Sequence, residues 1–346
     1  RRSVSPTRRN RPPLCLWHGK AWPSRVDPRV RRPGLRVCPY HSSSRAGVAR
    51  GHARRSRCPS PHPAASVPSL NPGRESELLH ADTVSYSYGS HSVLRGVDVQ
   101  IKTGGLVGIL GPNGSGKTTL LKLLAGLLVP SDGRVTFDDL DLIRFDRPSL
   151  ARRLAVVPQE TELAFDYTVL EIVLMGRYPH LHPFELEGPA DLDIARRMLA
   201  ATGTTHLEQR TYRTLSGGEK QRVVIASALA QFETISTRQN PTAARVLLLD
   251  EPTSSLDLSF QLATSTLLAE LNRTQRTSVV VCTHDLNFAA GLCRDIVLLR
   301  EGTVVAAGPT DDVLTPETIG DVYGVVADVH RHPTSRHLTV VPLARR

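Results

Sequence analysis

The chain has 346 residues, enough for two average domains, and a net charge of +10. The basicity is local: residues 1–75 hold 17 Lys and Arg against 2 Asp and Glu, while residues 76–346 hold 26 against 31, which excludes a uniformly basic nucleic-acid- or membrane-binding protein. Five cysteines without a Cys-x-x-Cys pair argue against a zinc site or disulfide scaffold, and no apolar run approaches the roughly 18–20 residues that span a bilayer.

In chain order, residues 1–75 are dominated by Arg, Pro, Ser and His, with apolar residues at neither strand nor helix period. Such a composition cannot offset chain entropy, and a disordered basic extension is expected. It lacks the apolar core of a secretory signal. It reads as an accessory extension, or as residues upstream of the true start, rather than as an arm for nucleic acid or anionic lipid.

Residues 79–88 partly alternate and predict a strand ending on Tyr88, whose ring could stack on a purine or simply pack on its neighbours. A second strand is expected over 96–101. The apolar run 106–110 then leads into Gly111, Pro112, Asn113, Gly114, Ser115, Gly116, Lys117, Thr118 and Thr119, followed by a helical pattern. Strand, glycine loop and helix is the context that a Gly-x-x-x-x-Gly-Lys-Thr match requires. Its backbone N–H groups and the helix dipole form a phosphate cradle. Lys117 is expected to reach the outer phosphates, and the Thr118 hydroxyl to complete a Mg²⁺ coordination sphere. The stretch predicts binding of a nucleoside triphosphate.

A short strand over 133–137 follows, then the apolar segment 154–158, which delivers Gln159 to a loop where it could sense Mg²⁺ or the attacking water. From 168 to 207 the pattern is helical, interrupted at 176–183 by a Pro-rich loop that reads as facing solvent or a partner. His180, His182 and His206 lack metal-ligand spacing. Ser216, Gly217 and Gly218 open another helix, with Glu219 placed to close a capping box and the two glycines to offer a second anion site. The apolar strand 246–249 ends on Asp250, expected to hold Mg²⁺ through water, and on Glu251, placed to take a proton from the water attacking the γ-phosphate. Asp257 caps the next helix. The strand 278–282 delivers His284 to the carboxyl edge of the sheet, where α/β proteins bind ligands.

These motifs, in this order, closely resemble the ATP-binding cassette (ABC) ATPases over about residues 78–346. Gly111–Thr119 resembles the Walker A loop, 215–221 the family signature and 246–251 the Walker B strand. Tyr88 falls at the base-stacking aromatic, Gln159 at the Q-loop, 254–257 at the D-loop and His284 at the switch histidine. The resemblance implies an α/β P-loop domain with a mixed-sheet core, an antiparallel β subdomain and a helical subdomain at about 160–230. It also implies ATP hydrolysis with Mg²⁺ in a head-to-tail homodimer, where Ser216, Gly217 and Gly218 contact the γ-phosphate of the other subunit's ATP. Glu251 then polarises the attacking water, and His284 stabilises the γ-phosphate.

The stretches 151–159, 173–180 and 323–330 look like those of bacterial importers of iron-siderophores, haem and cobalamin. A long connection over 232–245 tips the expectation towards haem. The implied partners are membrane permease subunits and, through them, a substrate-binding protein, with the chain peripheral on the cytoplasmic face of the inner membrane. The alternative is a soluble ABC ATPase acting on nucleic acid or the ribosome. Such relatives usually carry a second cassette or a coiled-coil insertion, and neither is evident here.

Overall fold

A computed structural model of the chain describes residues 77–161, 163–234, 243–254 and 256–346. The expected disordered extension, Ser255 and the middle of the 232–245 connection lie outside them.

The chain enters as a hairpin, β1 (Glu77–Tyr88) and β2 (His91–Lys102), turning at Gly89 and Ser90. The second strand starts five residues earlier than periodicity predicts, because the turn carries the chain straight back onto β1 with Tyr88 opposite His91. Next come β3 (Leu106–Leu110), α1 (Lys117–Leu124), β4 (Asp132–Phe137), β5 (Leu140–Asp141), α2 (Arg147–Ala151) and β6 (Leu154–Val157). Three helices follow: α3 (Val169–Met175), α4 (Pro189–Ala201) and α5 (Gly217–Phe232). Strands and helices then alternate through β7 (Val246–Asp250), α6 (Leu258–Gln275), β8 (Ser278–Cys282), α7 (Leu286–Leu292) and β9 (Asp295–Arg300). The chain closes with β10 (Thr303–Pro309), α8 (Thr310–Val313), α9 (Pro316–Tyr323), β11 (Val325–Arg331) and β12 (Leu338–Arg345).

The central sheet runs β10-β9-β3-β8-β7-β6, parallel except for the antiparallel β10 edge. A second sheet, β2-β1-β4-β5, is antiparallel, and β11 pairs with β12 alone. This is the expected α/β architecture of mixed sheet, antiparallel sheet and helices. Every residue of β3, β7 and β8 is buried, as central parallel strands require.

The two-residue strand period divides these side chains between two cores. Val246, Leu248, Val280 and Cys282 pack with α1 and the antiparallel sheet. Leu247, Leu249, Val279 and Val281 pack with the helices on the other side. Each fully buried aliphatic side chain contributes on the order of 1.5–3 kcal/mol, so these strands hold the two layers in register.

The α3–α4–α5 layer is tied by a group that sequence reading misplaces. The 176–183 segment reads as a solvent- or partner-facing loop, yet Gly176 and Arg177 are buried, and Arg177 is 0% exposed. Arg177 Nε donates to Asp191 Oδ1 at 2.9 Å, and Nη1 donates to the carbonyls of Ala230 and Glu233, each at 2.5 Å. Asp191 also accepts from Gly188 N at 3.0 Å, capping α4.

His180 lies beside this group, with its Nε2 2.8 Å from the Gln231 carbonyl. Burial pushes it down from its ordinary 6.5 to about 4. A histidine held neutral contributes stability that is complete above pH 6.5 and is lost as the pH falls towards about 4, because the unfolded chain takes up the proton first. Denaturation midpoints followed from pH 7 to pH 4 should therefore fall less steeply for His180→Gln than for the unaltered chain. Equal slopes would rule out this linkage.

Candidate functional site

Four neighbouring strands of the central sheet, β3-β8-β7-β6, end at one edge. β3 runs into Gly111, β8 into Thr283 and His284, β7 into Glu251, and β6 into Pro158 and Gln159. Parallel register fixes this alignment, with Ile109 opposite Cys282, Asp250 opposite Cys282 and Val157 opposite Leu249. Residues far apart in sequence thus meet because their strands are adjacent, at the edge where α/β sheets take ligands.

The glycine loop is tightly packed on one side and open on the other. At Gly111 (φ +152°) a Cβ would sit 2.2 Å from the Leu299 carbonyl oxygen and 2.7 Å from Ser115 Oγ, so no larger residue fits. Gly116 (φ +102°) stands at the N-terminus of α1, and a Cβ there would meet Leu94. Asn113 and Gly114 are exposed. Lys117 is nearly buried and folds back to donate to the Gly111 and Pro112 carbonyls at 2.9 and 3.1 Å.

No side chain caps α1 and no acid lies in its first turn, whereas α3, α5, α6 and α7 are capped by Thr168, Ser216, Asp257 and Asp285. The Ser115 hydroxyl is buried with no partner. Uncapped helix donors, an orphaned hydroxyl and an enclosed ammonium beside an open backbone face fit a polyphosphate.

The Thr118 hydroxyl donates to Asp250 Oδ1 at 3.2 Å. Burial pushes the Asp250 carboxyl up, the Thr118 hydrogen bond opposes this, and Glu251 adds to the rise. A hydroxyl and a buried carboxylate side by side are the hard oxygen donors that Mg²⁺ takes. Gln159 is exposed one residue beyond Pro158, at the same edge.

Glu251 is 8% exposed and adopts φ +48°, a left-handed conformation that costs a non-glycine residue about 1–3 kcal/mol. Its N–H donates to the Cys282 carbonyl at 2.8 Å, and its own carbonyl accepts from Ser254 N and Oγ. The bend directs the carboxylate to His284, with Oε2 2.8 Å from Nδ1. The imidazole itself is exposed. A carboxylate beside an imidazole on the open side of a phosphate loop can accept a proton from water.

Tyr88, half exposed at the end of β1, stacks edge-on against Tyr86 with centroids 4.9 Å apart. Tyr86 pairs with Leu94, the residue against Gly116, and the Tyr88 ring two residues on keeps free surface.

Ser216 is different. It closes a capping box with Glu219: its N–H donates to Glu219 Oε2 at 2.8 Å, and its Oγ accepts from Glu219 N at 3.3 Å. Ser216 and Gly217 are exposed, while Gly218 is buried against Phe260 and Leu256 near the start of α6. Asp257 caps α6, accepting from Phe260 N at 3.0 Å. Among the described residues no hydrogen bond joins Ser216–Gly218 to the glycine loop. Sequence reasoning missed the left-handed Glu251 and the Arg177–Asp191 pair. Neither has a local signal, since each depends on a residue far along the chain.

Known proteins resemble much of this chain. Residues 94–254 match the family described as ABC transporter. The hemin import ATP-binding protein HmuV of Bordetella pertussis is 43% identical over 256 residues, covering 74% of this chain and 95% of that protein. The ferric enterobactin transport ATP-binding protein FepC of Escherichia coli K12 is 37% identical over 267 residues, covering 77% and 94%. MJ0796, a bacterial ABC transporter cassette solved as a dimer, superposes with a TM-score of 0.57 at 29% identity, covering 67% of this chain and 99% of that one.

Proposed function

The chain belongs to the ABC transporter family and is an ATP-binding ATPase, and from that premise we propose that it powers a bacterial importer of an iron or metal chelate, haem before siderophore or cobalamin. The observation that carries the mechanism is the meeting of Lys117, Asp250, Glu251 and His284 at one sheet edge. In this reading the amides of the glycine loop and Lys117 bind the ATP phosphates, and Tyr88 stacks on the base. Glu251 takes the proton of the attacking water and His284 steadies the γ-phosphate side. Thr118, Asp250 and Gln159 would hold Mg²⁺, which neutralises developing phosphate charge when bound.

The exposed Ser216 and Gly217, with no hydrogen bond to the glycine loop among the described residues, support a homodimer in which each chain completes the other's site. Asp257, at the start of α6 beside Gly218, would belong to the same contact. The dimeric MJ0796 cassette supports this arrangement. Among the described residues no helix is long and apolar enough to cross a membrane. In this reading, supported by relatives named as import and transport subunits, the chain docks from the cytoplasmic face onto permease subunits, which in turn receive a substrate-binding protein.

The relatives are named as import or transport subunits, and residues 76–346 are net acidic, so the nucleic-acid alternative has no support. The test is affinity purification from membranes of the native cell, followed by vesicle uptake of haem, cobalamin and ferric siderophores. A polytopic permease should co-purify, and ATP-dependent haem uptake should follow. ATPase activity that rises with RNA or DNA, with no permease recovered, would overturn the importer reading.

A further inference from the structure

The start of α5 and the start of α6 are distant in the chain, yet one side chain joins them. Phe260, in the first turn of α6, lies half-buried against the first turns of α5. A Cβ on Gly218 would sit 3.1 Å from Phe260 Cδ2 and 3.2 Å from Cγ, so alanine there would press on the ring. Leu256 meets the same spot, with its Cδ2 3.4 Å from that position. One turn further along α5, the Arg222 guanidinium carbon stands 4.7 Å from the ring centroid. Residues spaced as Gly218 and Arg222 are share one helix face, so α5 holds the ring at two points.

Polar contacts do not hold this seam. Among the described residues no hydrogen bond joins 216–222 to 256–262, and Gln221 Nε2 and Arg222 Nε are buried without a partner. The face of an aromatic ring attracts a cation, and more strongly where water is excluded.

On the other side, the loop after β7 fixes the ring. Phe260 N donates to Asp257 Oδ1 at 3.0 Å, and Gln261 Nε2 donates to the Leu256 carbonyl at 3.2 Å. Leu256 N donates to the Thr253 carbonyl at 3.1 Å, and Ser254 N to the Glu251 carbonyl at 3.3 Å. A continuous run of contacts thus leads from the hydrolysis side of the sheet edge to Gly218, next to the exposed Ser216 and Gly217.

We propose that Phe260 is a positioning residue for the second copy of the chain: its ring, held by Gly218 and Arg222, fixes Ser216 and Gly217 relative to Asp257 so that the other copy meets all three together. Phe260 acts through Gly218 and the capped start of α6, and the inference rests on the homodimer reading.

Phe260→Leu in the full chain keeps an apolar side chain and removes the ring face. Introduced into Glu251→Gln protein and followed by analytical ultracentrifugation, it should raise the chain concentration needed for ATP-dependent dimers about fivefold to tenfold, the scale of one partly desolvated cation–ring contact. ATP affinity, measured by equilibrium dialysis at chain concentrations too low for dimers, should stay within about twofold. The thermal midpoint without ATP should move by no more than about 4 °C. Phe260→Tyr keeps the ring face and should restore dimer formation.

Unchanged dimer formation by Phe260→Leu would overturn the proposal. So would weaker ATP binding by the dilute chain or a larger fall in midpoint, since either would show a general packing role. A Phe260→Tyr protein as defective as Phe260→Leu would overturn it as well, by showing that the ring face is not the cause. Glu251→Gln with Phe260 intact separates the two readings: if it forms no ATP-dependent dimer, the homodimer reading fails, whereas equal dimers with and without Phe260→Leu defeat only the role of Phe260.

Discussion

Glu251→Gln should lower kcat for ATP hydrolysis by about 10²–10⁴, the range for removal of a positioned general base, while ATP still binds. The backbone around this position is held independently of the carboxylate. Its N–H donates to Cys282, its carbonyl accepts from Ser254, and the left-handed φ of +48° survives replacement by an amide of the same shape. The amide can still approach His284, now 2.8 Å from the carboxylate, but it cannot take a proton from water.

Binding should persist because Lys117, Ser115 and the loop amides are untouched. The variant should therefore accumulate as an ATP-bound dimer, visible by size-exclusion chromatography with ATP present and lost when ATP is withheld. Lys117→Ala gives the contrast. It removes the ammonium held 2.9 and 3.1 Å from the Gly111 and Pro112 carbonyls, so nucleotide binding itself should weaken and no dimer should build up. A Glu251→Gln protein that hydrolyses ATP at the unaltered rate would remove Glu251 from the role of base.

Arg177→Ala should destabilise the fold by about 3–5 kcal/mol, the cost of leaving one partner of a buried ion pair alone. Asp191 would keep a buried charge without its partner, and the carbonyls of Ala230 and Glu233 would lose their donor. For a folded region of this size the thermal midpoint should drop by roughly 10 °C, and urea denaturation should show the same loss. Arg177→Lys should recover only part of it, because one ammonium cannot reproduce a planar fork that meets a carboxylate and two carbonyls together. An unchanged urea midpoint for Arg177→Ala would show that the pair is not holding the α3–α4–α5 layer.

The consequence extends beyond stability. The same pair clamps the carboxyl end of α5, and the amino end of α5 carries Ser216 and Gly217. A loosened layer would still bind ATP at the glycine loop. It would present the signature poorly to a second chain, so the loss should be larger in hydrolysis than in nucleotide binding.

Much of the site was legible because its chemistry is local. The glycine loop, the capping box at Ser216 and Glu219, and the carboxylates after β7 are each contained within nine residues, and each follows or opens an element with a clear period. The same locality explains the errors. Residues 176–183 carry two prolines and three polar aromatic rings, a surface composition, and nothing nearby announces that Arg177 is buried by α4 and α5. The start of β2 was missed because His91 and Ser92 are weak strand formers, placed in the strand only by pairing with β1.

By itself the sequence determined that the chain binds a nucleoside triphosphate, and through the order of its motifs, which family of machine it resembles. Phosphate binding needs only a few consecutive amides and one lysine, and the chain specifies these directly. The tertiary structure decided how the parts meet. Parallel register sets Glu251 against His284, and a left-handed bend aims the carboxylate. It also leaves Ser216 and Gly217 exposed, with no hydrogen bond to the glycine loop among the described residues. Those relations join residues whose strands and helices must first pack, and no pattern within a short window encodes them.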